Sequence, residues 1–203
     1  MNRGDLCRGF WWGAMTQVCD MTLAASTLLR ANRVMVIGCS GGGKSTLAKQ
    51  ISARFGMPYV SMDREFFWLP GWVKRDKAEE RRLIAQTVAA ERWLMDGNGP
   101  STFDLRLPRT ELVIWLRLPR WQCLLGVMKR GVRYFGRTRP DMASGCNERF
   151  PDFEFLSYIW TFEQKVIPAI LHNIQLHGSH VPVIQLKSRA EMRKLLDLAG
   201  LPA

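Results

Sequence analysis

The sequence predicts an α/β protein built on one parallel sheet with helices on both faces, and three observations carry that reading. Five short apolar runs alternate with longer helical patterns along the chain. The first run passes directly into a glycine-rich turn and then a helix, the order in which phosphate sites are built. The length of 203 residues, with 47% hydrophobic and 23% charged residues, suits one domain with a core of its own.

Residues 33–37 (Arg-Val-Met-Val-Ile) are apolar and β-branched and read as a buried strand. Strands are expected at 34–38, 58–62, 93–96, 111–116 and 181–186, and helices at 44–55, 76–92, 120–134, 152–177 and 189–199. In the fourth helix Phe155, Ile159, Phe162, Val166, Ile170 and Ile174 recur at three- and four-residue steps. Pro168 should kink or divide it. In such sheets ligands bind at the carboxyl ends of the strands, so the chemistry is expected just after each one.

The turn after the first strand reads Gly38-Cys39-Ser40-Gly41-Gly42-Gly43-Lys44-Ser45 and fits G-x-x-x-x-G-K-[ST] at every fixed position. Glycines let successive backbone N–H groups point at phosphate oxygens with no Cβ in the way. A helix starting near Lys44 adds the positive end of its dipole. Lys44 is expected to reach the β- and γ-phosphates and the Ser45 hydroxyl to ligate Mg²⁺, with Gly38 through Thr46 forming the cradle for ATP.

The second and third strands end in carboxylates, Asp63 and Asp96. A carboxylate in that position holds Mg²⁺ or its waters, or orients an acceptor hydroxyl; it can equally cap a helix or close a turn. Leu94-Met95-Asp96 has the form of a Walker B strand. Residues 133–150 are punctuated by Gly and Pro and carry Arg137 and Arg139. A loop of that length calls for a reason, and a lid bringing guanidinium groups to a transferring phosphoryl is one; a solvated basic loop is the other. Trp68-Leu69-Pro70-Gly71-Trp72 is a rigid turn whose indoles either line an acceptor pocket or pack.

The formal net charge is +11, which keeps polyanionic partners open, nucleic acid among them. Part of the excess lies in Arg130, Arg133, Arg137 and Arg139, where a phosphate-handling site accounts for it. Cysteines at 7, 19, 39, 123 and 146 form no C-x-x-C pair, and their odd number suits neither a disulfide framework nor zinc, so a reducing cytoplasm is expected. Cys39 sits inside the phosphate loop, where a helix N-terminus can lower a thiol pKa and make it sensitive to oxidation; an inert loop residue is the alternative. Residues 1–32 are expected as an extension outside the domain, poorly ordered or loosely helical. Its apolar stretch from Phe10 to Leu29 is interrupted by Asp20, which argues against a membrane span.

From Arg33 to the C-terminus these motifs resemble a bacterial family of small P-loop proteins related to adenylate kinase, often labelled topology modulation proteins or adenylate-kinase-like kinases. The likeness rests on the phosphate loop, Met62-Asp63, the tryptophan-flanked Pro70-Gly71 and Asp96-Gly97-Asn98, together with Asp104-Leu105-Arg106, Val113-Ile114-Trp115-Leu116 and Gly136-Arg137-Thr138-Arg139-Pro140-Asp141-Met142. It implies a P-loop NTPase of nucleoside-monophosphate-kinase type, a three-layer fold with sheet order 2-3-1-4-5 and a lid insertion. It implies that Lys44 and Ser45 bind triphosphate and Mg²⁺. Asp63, Asp96, Asn98 and Arg106 would face a small-molecule or nucleotide acceptor, and Arg137 and Arg139 would sit in the lid. Relatives often carry an acid where this chain has Arg117. Three readings follow: an ATP-dependent kinase, a nucleotide-regulated DNA-binding protein, and a nucleotide binder without turnover.

Overall fold

The computed structural model describes residues 18–200. Seven strands occur among them: β1 (Arg33–Gly38), β2 (Tyr59–Ser61), β3 (Trp68–Leu69), β4 (Val73–Lys74), β5 (Trp93–Asp96), β6 (Leu112–Leu116) and β7 (Val183–Leu186). Five form a parallel sheet in the order β2-β5-β1-β6-β7, and β3 and β4 pair separately as an antiparallel hairpin. With the hairpin set aside, this is the 2-3-1-4-5 order of the P-loop α/β fold. Val34, Met35, Val36 and Ile37 have no exposed surface. Side chains alternate between the faces of a strand, so burial of all four means that both faces are covered.

The helices are α1 (Met21–Leu28), α2 (Lys44–Phe55), α3 (Lys77–Val88), α4 (Phe103–Arg106), α5 (Arg120–Tyr134), α6 (Phe153–Lys165), α7 (Ile167–His177) and α8 (Arg189–Leu198). Asp76 caps α3, accepting from the N–H groups of Ala78 and Glu79, so the helix begins one residue later than the sequence pattern suggests. The long helix at 152–177 is divided, as Pro168 requires. Pro168 falls in the first turn of α7, where a missing N–H leaves no helical bond broken. Along the sheet Val36 lies beside Asp96 and Gly38 beside Leu116. The phosphate loop therefore leaves the sheet at the strands' carboxyl edge, next to Asp96.

Two short features were not legible in the periodicity. A π-helical turn (Asp63–Phe67) follows β2 and leads into the hairpin. In the hairpin turn Trp72 has a φ of 65°, a left-handed conformation rare for a bulky residue. Its indole N–H donates to the Asn147 carbonyl at 2.9 Å, and its ring meets Trp68 edge to face at 5.3 Å. These contacts hold a backbone shape that the residue itself disfavours.

The boundary expected at residue 33 is corrected by the structure. Residues 18–32 belong to the domain. Asp20 caps α1 by accepting from the Leu23 N–H at 2.8 Å, and Cys19 donates its N–H to the Val183 carbonyl at 3.0 Å. Ala24, Ala25 and Leu28 are buried where α1 meets α8, β6 and β7. Within the described part of that apolar stretch, Ala24, Ala25 and Leu28 form the inner side of a short core helix, while Leu23 and Leu29 are exposed. Phe10, Trp11 and Trp12 lie outside the described residues. Among the described residues, no helix is long and apolar enough to cross a membrane. Leu28→Ala should cost about 2–5 kcal/mol in urea unfolding; a loss below 0.5 kcal/mol or so, typical of surface changes, would mean α1 is not part of the core.

Candidate functional site

The loop between β1 and α2 is held from several sides before any ligand arrives. Asn98, just after β5, accepts from the Gly38 N–H and donates to the Gly38 carbonyl, each at 2.8 Å. From the opposite side α5 presses in at Gly126. A Cβ on Gly126 would stand 2.1 Å from the Gly41 carbonyl oxygen, and one on Gly41 would stand 2.1 Å from that of Cys123. Only paired glycines allow this approach. At the start of α8, Met192 and Arg189 lie within 3.6 Å and 4.0 Å of the place a Cβ on Gly43 would take. Lys44 folds back, donating from Nζ to the Cys39 carbonyl at 3.2 Å.

Asp96 is buried at the end of β5. Its Oδ2 accepts from the Tyr59 hydroxyl at 3.0 Å, while Oδ1 is buried with no hydrogen-bond partner. Loss of water raises its carboxyl pKa; Lys44 and the Ser45 and Tyr59 hydroxyls pull it down, and Asp141 pushes it up. An orphaned carboxylate oxygen beside a serine hydroxyl fits Mg²⁺. No group of three or more His, Cys, Asp or Glu capable of holding a metal occurs among the described residues. Mg²⁺ is usually held by one or two protein oxygens, with waters and substrate phosphates completing the shell.

Asp63 opens the π turn and faces a cavity of about 660 Å³ that runs from Ser40 to the lid. Solvent reaches Asp63 through the cavity mouth, but protein surrounds it elsewhere. That loss of water raises its carboxyl pKa, Lys44 lowers it and Asp96 raises it again. Its carboxylate makes no hydrogen bond within the described residues. Trp68, Trp72, Phe155 and Tyr158 supply aromatic wall to the same cavity, and Arg130, Arg139 and Glu148 line it as well. The tryptophans also pack on Met142, Ala143 and Cys146 of the 133–150 segment in a small core, so they both line the cavity and pack.

The lid itself is strapped down. Ser61 donates to the Asp141 carbonyl at 2.8 Å, and Arg64 to that of Pro140 at 3.0 Å. Lys49 approaches the Asp141 carboxylate at 3.5 Å. Arg139 is buried, with Nη1 2.8 Å from Asp141 and Nε 2.7 Å from Glu148; Arg130 donates to the other Glu148 oxygen at 2.6 Å.

Several expectations are corrected by this geometry. Arg106 does not face the acceptor. It is fully buried, and its guanidinium donates to Thr102 Oγ1 and to the carbonyls of Gly97, Asn98 and Gly99, so it braces the turn that carries Asn98. Asn98 is the clamp on Gly38 rather than an acceptor contact. Arg137 is exposed and does not line the cavity, whereas Arg139 does but is tied to two carboxylates. The Cys39 thiol is pushed up, not down, chiefly by its contact with the Cys123 thiol and by burial. Arg117 meets Gln185 at 3.3 Å, lies 3.9 Å from Glu163 and covers the Trp115 ring, none of them part of the Asp96 cluster.

No family model and no curated protein matches the chain. Among solved structures it is similar to a shikimate kinase from Bacteroides thetaiotaomicron, at 18% identity over 84% of this chain and 99% of that one, with a TM-score of 0.46. It is also similar to a shikimate kinase from Acinetobacter baumannii, at 14% identity over 87% and 93%, TM-score 0.49. A third is a gluconokinase from Sinorhizobium meliloti 1021, at 12% identity over 83% and 91%, TM-score 0.46. Each is a likeness of fold at low identity.

The sequence reading missed Tyr59, Lys49, Glu148 and Tyr158, which no motif marks. It also passed over Gly126, although a lone glycine inside a helical pattern is itself a sign of close backbone approach.

The Asp96 carboxyl has a folded pKa above its unfolded one, so the native state binds more protons between the two values. Stability is lost as pH rises through that window. Asp96→Asn should therefore raise the Tm without nucleotide at neutral pH, and the gain should disappear in acid, where Asp96 is protonated. An unchanged or lower Tm at neutral pH would contradict this placement.

Proposed function

We propose that the chain is a phosphotransferase that moves the γ-phosphoryl of ATP to a hydroxyl of a small molecule. The observation that carries this is the cavity joining Ser40 of the phosphate loop to an open carboxylate, Asp63, under a lid. Loop amides and the α2 N-terminus would bind the phosphate tail, with Lys44 released from the Cys39 carbonyl to meet the β- and γ-oxygens. Mg²⁺, when bound, neutralises phosphate charge; Ser45 and Asp96 would hold it, directly or through water. Asp63 takes the proton from the acceptor hydroxyl as its oxygen bonds to Pγ and the bond from Pγ to the ADP oxygen breaks.

The charges in the cavity favour a hydroxyl over a phosphate as acceptor. Arg130 and Arg139 share Glu148, and Arg139 also meets Asp141, so their charge is already matched. A phosphate brought to Asp63 would set anion against anion. Lys74 and Arg149, exposed on the lining, remain for an anionic substituent farther out on the acceptor. A DNA-binding role has the +11 charge in its support and predicts duplex binding that falls steeply with salt.

Radiolabelled ATP with a panel of sugars, polyols, hydroxy acids, nucleosides and nucleoside monophosphates tests the reading. A hydroxyl compound should be phosphorylated, and Lys44→Ala should lower turnover about 10³-fold with the fold intact. Asp63→Asn should lower kcat more than it raises KM. Full turnover in Lys44→Ala would remove the mechanism, and preference for a nucleoside monophosphate would remove the hydroxyl assignment.

A further inference from the structure

We propose that the outer face of α5 docks on an anionic lipid surface, a role separate from phosphotransfer. Trp121, Leu125, Met128 and Val132 recur at three- and four-residue steps and so share one side of the helix. All four are exposed, Trp121 by 56% and Val132 by 69%, while Cys123, Val127 and Gly131 take the buried side. The stripe continues past the helix end into Phe135, whose ring meets that of Phe150 at a tilt, 5.0 Å between centroids. Phe150 in turn lies near Gly131 and is itself exposed. Such a run of large apolar side chains is more than the scattered exposure ordinary on a soluble surface.

The charges beside the stripe select the partner. The helix carries Arg120, Lys129, Arg130 and Arg133 and no Asp or Glu. Arg130 turns to the cavity and Glu148, but Arg120, Lys129 and Arg133 are exposed. A second copy of this chain laid along the same stripe would bring these cations close to their own counterparts. A nucleic acid duplex would satisfy the cations and leave the apolar row facing phosphates. An anionic bilayer offers both an acyl boundary for the row and phosphate headgroups for the cations, whose long stems can reach outward from a partly inserted helix. The net charge of +11 adds attraction over the approach.

Flotation of the full-length protein with vesicles of phosphatidylcholine alone, or mixed equally with phosphatidylglycerol, tests this. Retention is expected on the mixed vesicles only, weakening as salt rises. Leu125→Glu with Met128→Glu should lower the bound fraction by about tenfold or more, and Lys129→Glu with Arg133→Glu should do the same. Far-ultraviolet circular dichroism and an unchanged Tm would show that both variants fold. Absence from anionic vesicles, equal binding to neutral ones, or binding unaffected in folded variants would overturn the proposal. So would sedimentation showing a lipid-free dimer that Leu125→Glu with Met128→Glu dissolves, or a tight duplex-DNA complex that depends on the same side chains.

Discussion

The site depends on one contact, the near-touch of Gly41 and Gly126. It sets α5 directly against the phosphate loop, closer than any side chain would permit. Asn98 grips Gly38 from the far side with both its amide groups, and Arg106 fixes Asn98 through the carbonyls of its turn. The loop is therefore shaped by its surroundings. A ligand that binds a loop already in place meets a smaller ordering cost than one that must fold it. Five residues achieve this, and only Gly38 and Gly41 belong to the motif itself.

The lid is governed by charge matching. Glu148 accepts from Arg130 on α5 and from Arg139 in the lid, and Arg139 continues to Asp141, whose backbone is tied to Ser61 at the end of β2. This chain of pairs joins lid, helix and sheet edge around the cavity. Buried pairs of this kind add little net stability compared with apolar packing, yet breaking one partner strands the other. Their contribution here is positional: they define where the lid lies. Any movement of Arg139 would need Glu148 and Asp141 to let go.

The strands of the sheet were legible because each is an apolar run next to clear punctuation, as in Arg33 through Gly38 or Glu111 through Leu116, whereas their order came only from the family resemblance. The phosphate loop was legible because its chemistry is local in sequence. What failed was whatever depends on side-chain contacts that no motif encodes, whether near in sequence or far. Nothing near Arg106 announces that its guanidinium serves carbonyls of its own turn and not a ligand, and nothing near Asn98 announces Gly38, sixty residues earlier. Helix α1 was hidden for a different reason. Its residues are few and moderately apolar, and their burial comes from α8 and β7, formed at the other end of the chain.

Asp63 and Asp96 show how neighbouring carboxylates can be given different work. Both feel Lys44, and both are raised by loss of water. Their partners differ. Asp96 is sealed beneath the Tyr59 and Ser45 hydroxyls with one oxygen unmatched, a group that gains from a cation and has no route to an acceptor. Asp63 has no hydrogen bond within the described residues and a clear path into the cavity, so it is free to accept a proton there. On the proposed reading, these surroundings would suit charge neutralisation at Asp96 and proton removal at Asp63. The buried, unmatched oxygen of Asp96 is hard to account for on packing grounds alone, since a neutral side chain of the same shape would rest there at lower cost. Arg33 Nε, Glu80 Oε1 and the Trp93 and Trp115 indole nitrogens are also buried without a partner, but the Asp96 carboxylate lies next to Lys44 and Ser45 of the phosphate loop, where a bound cation would match it.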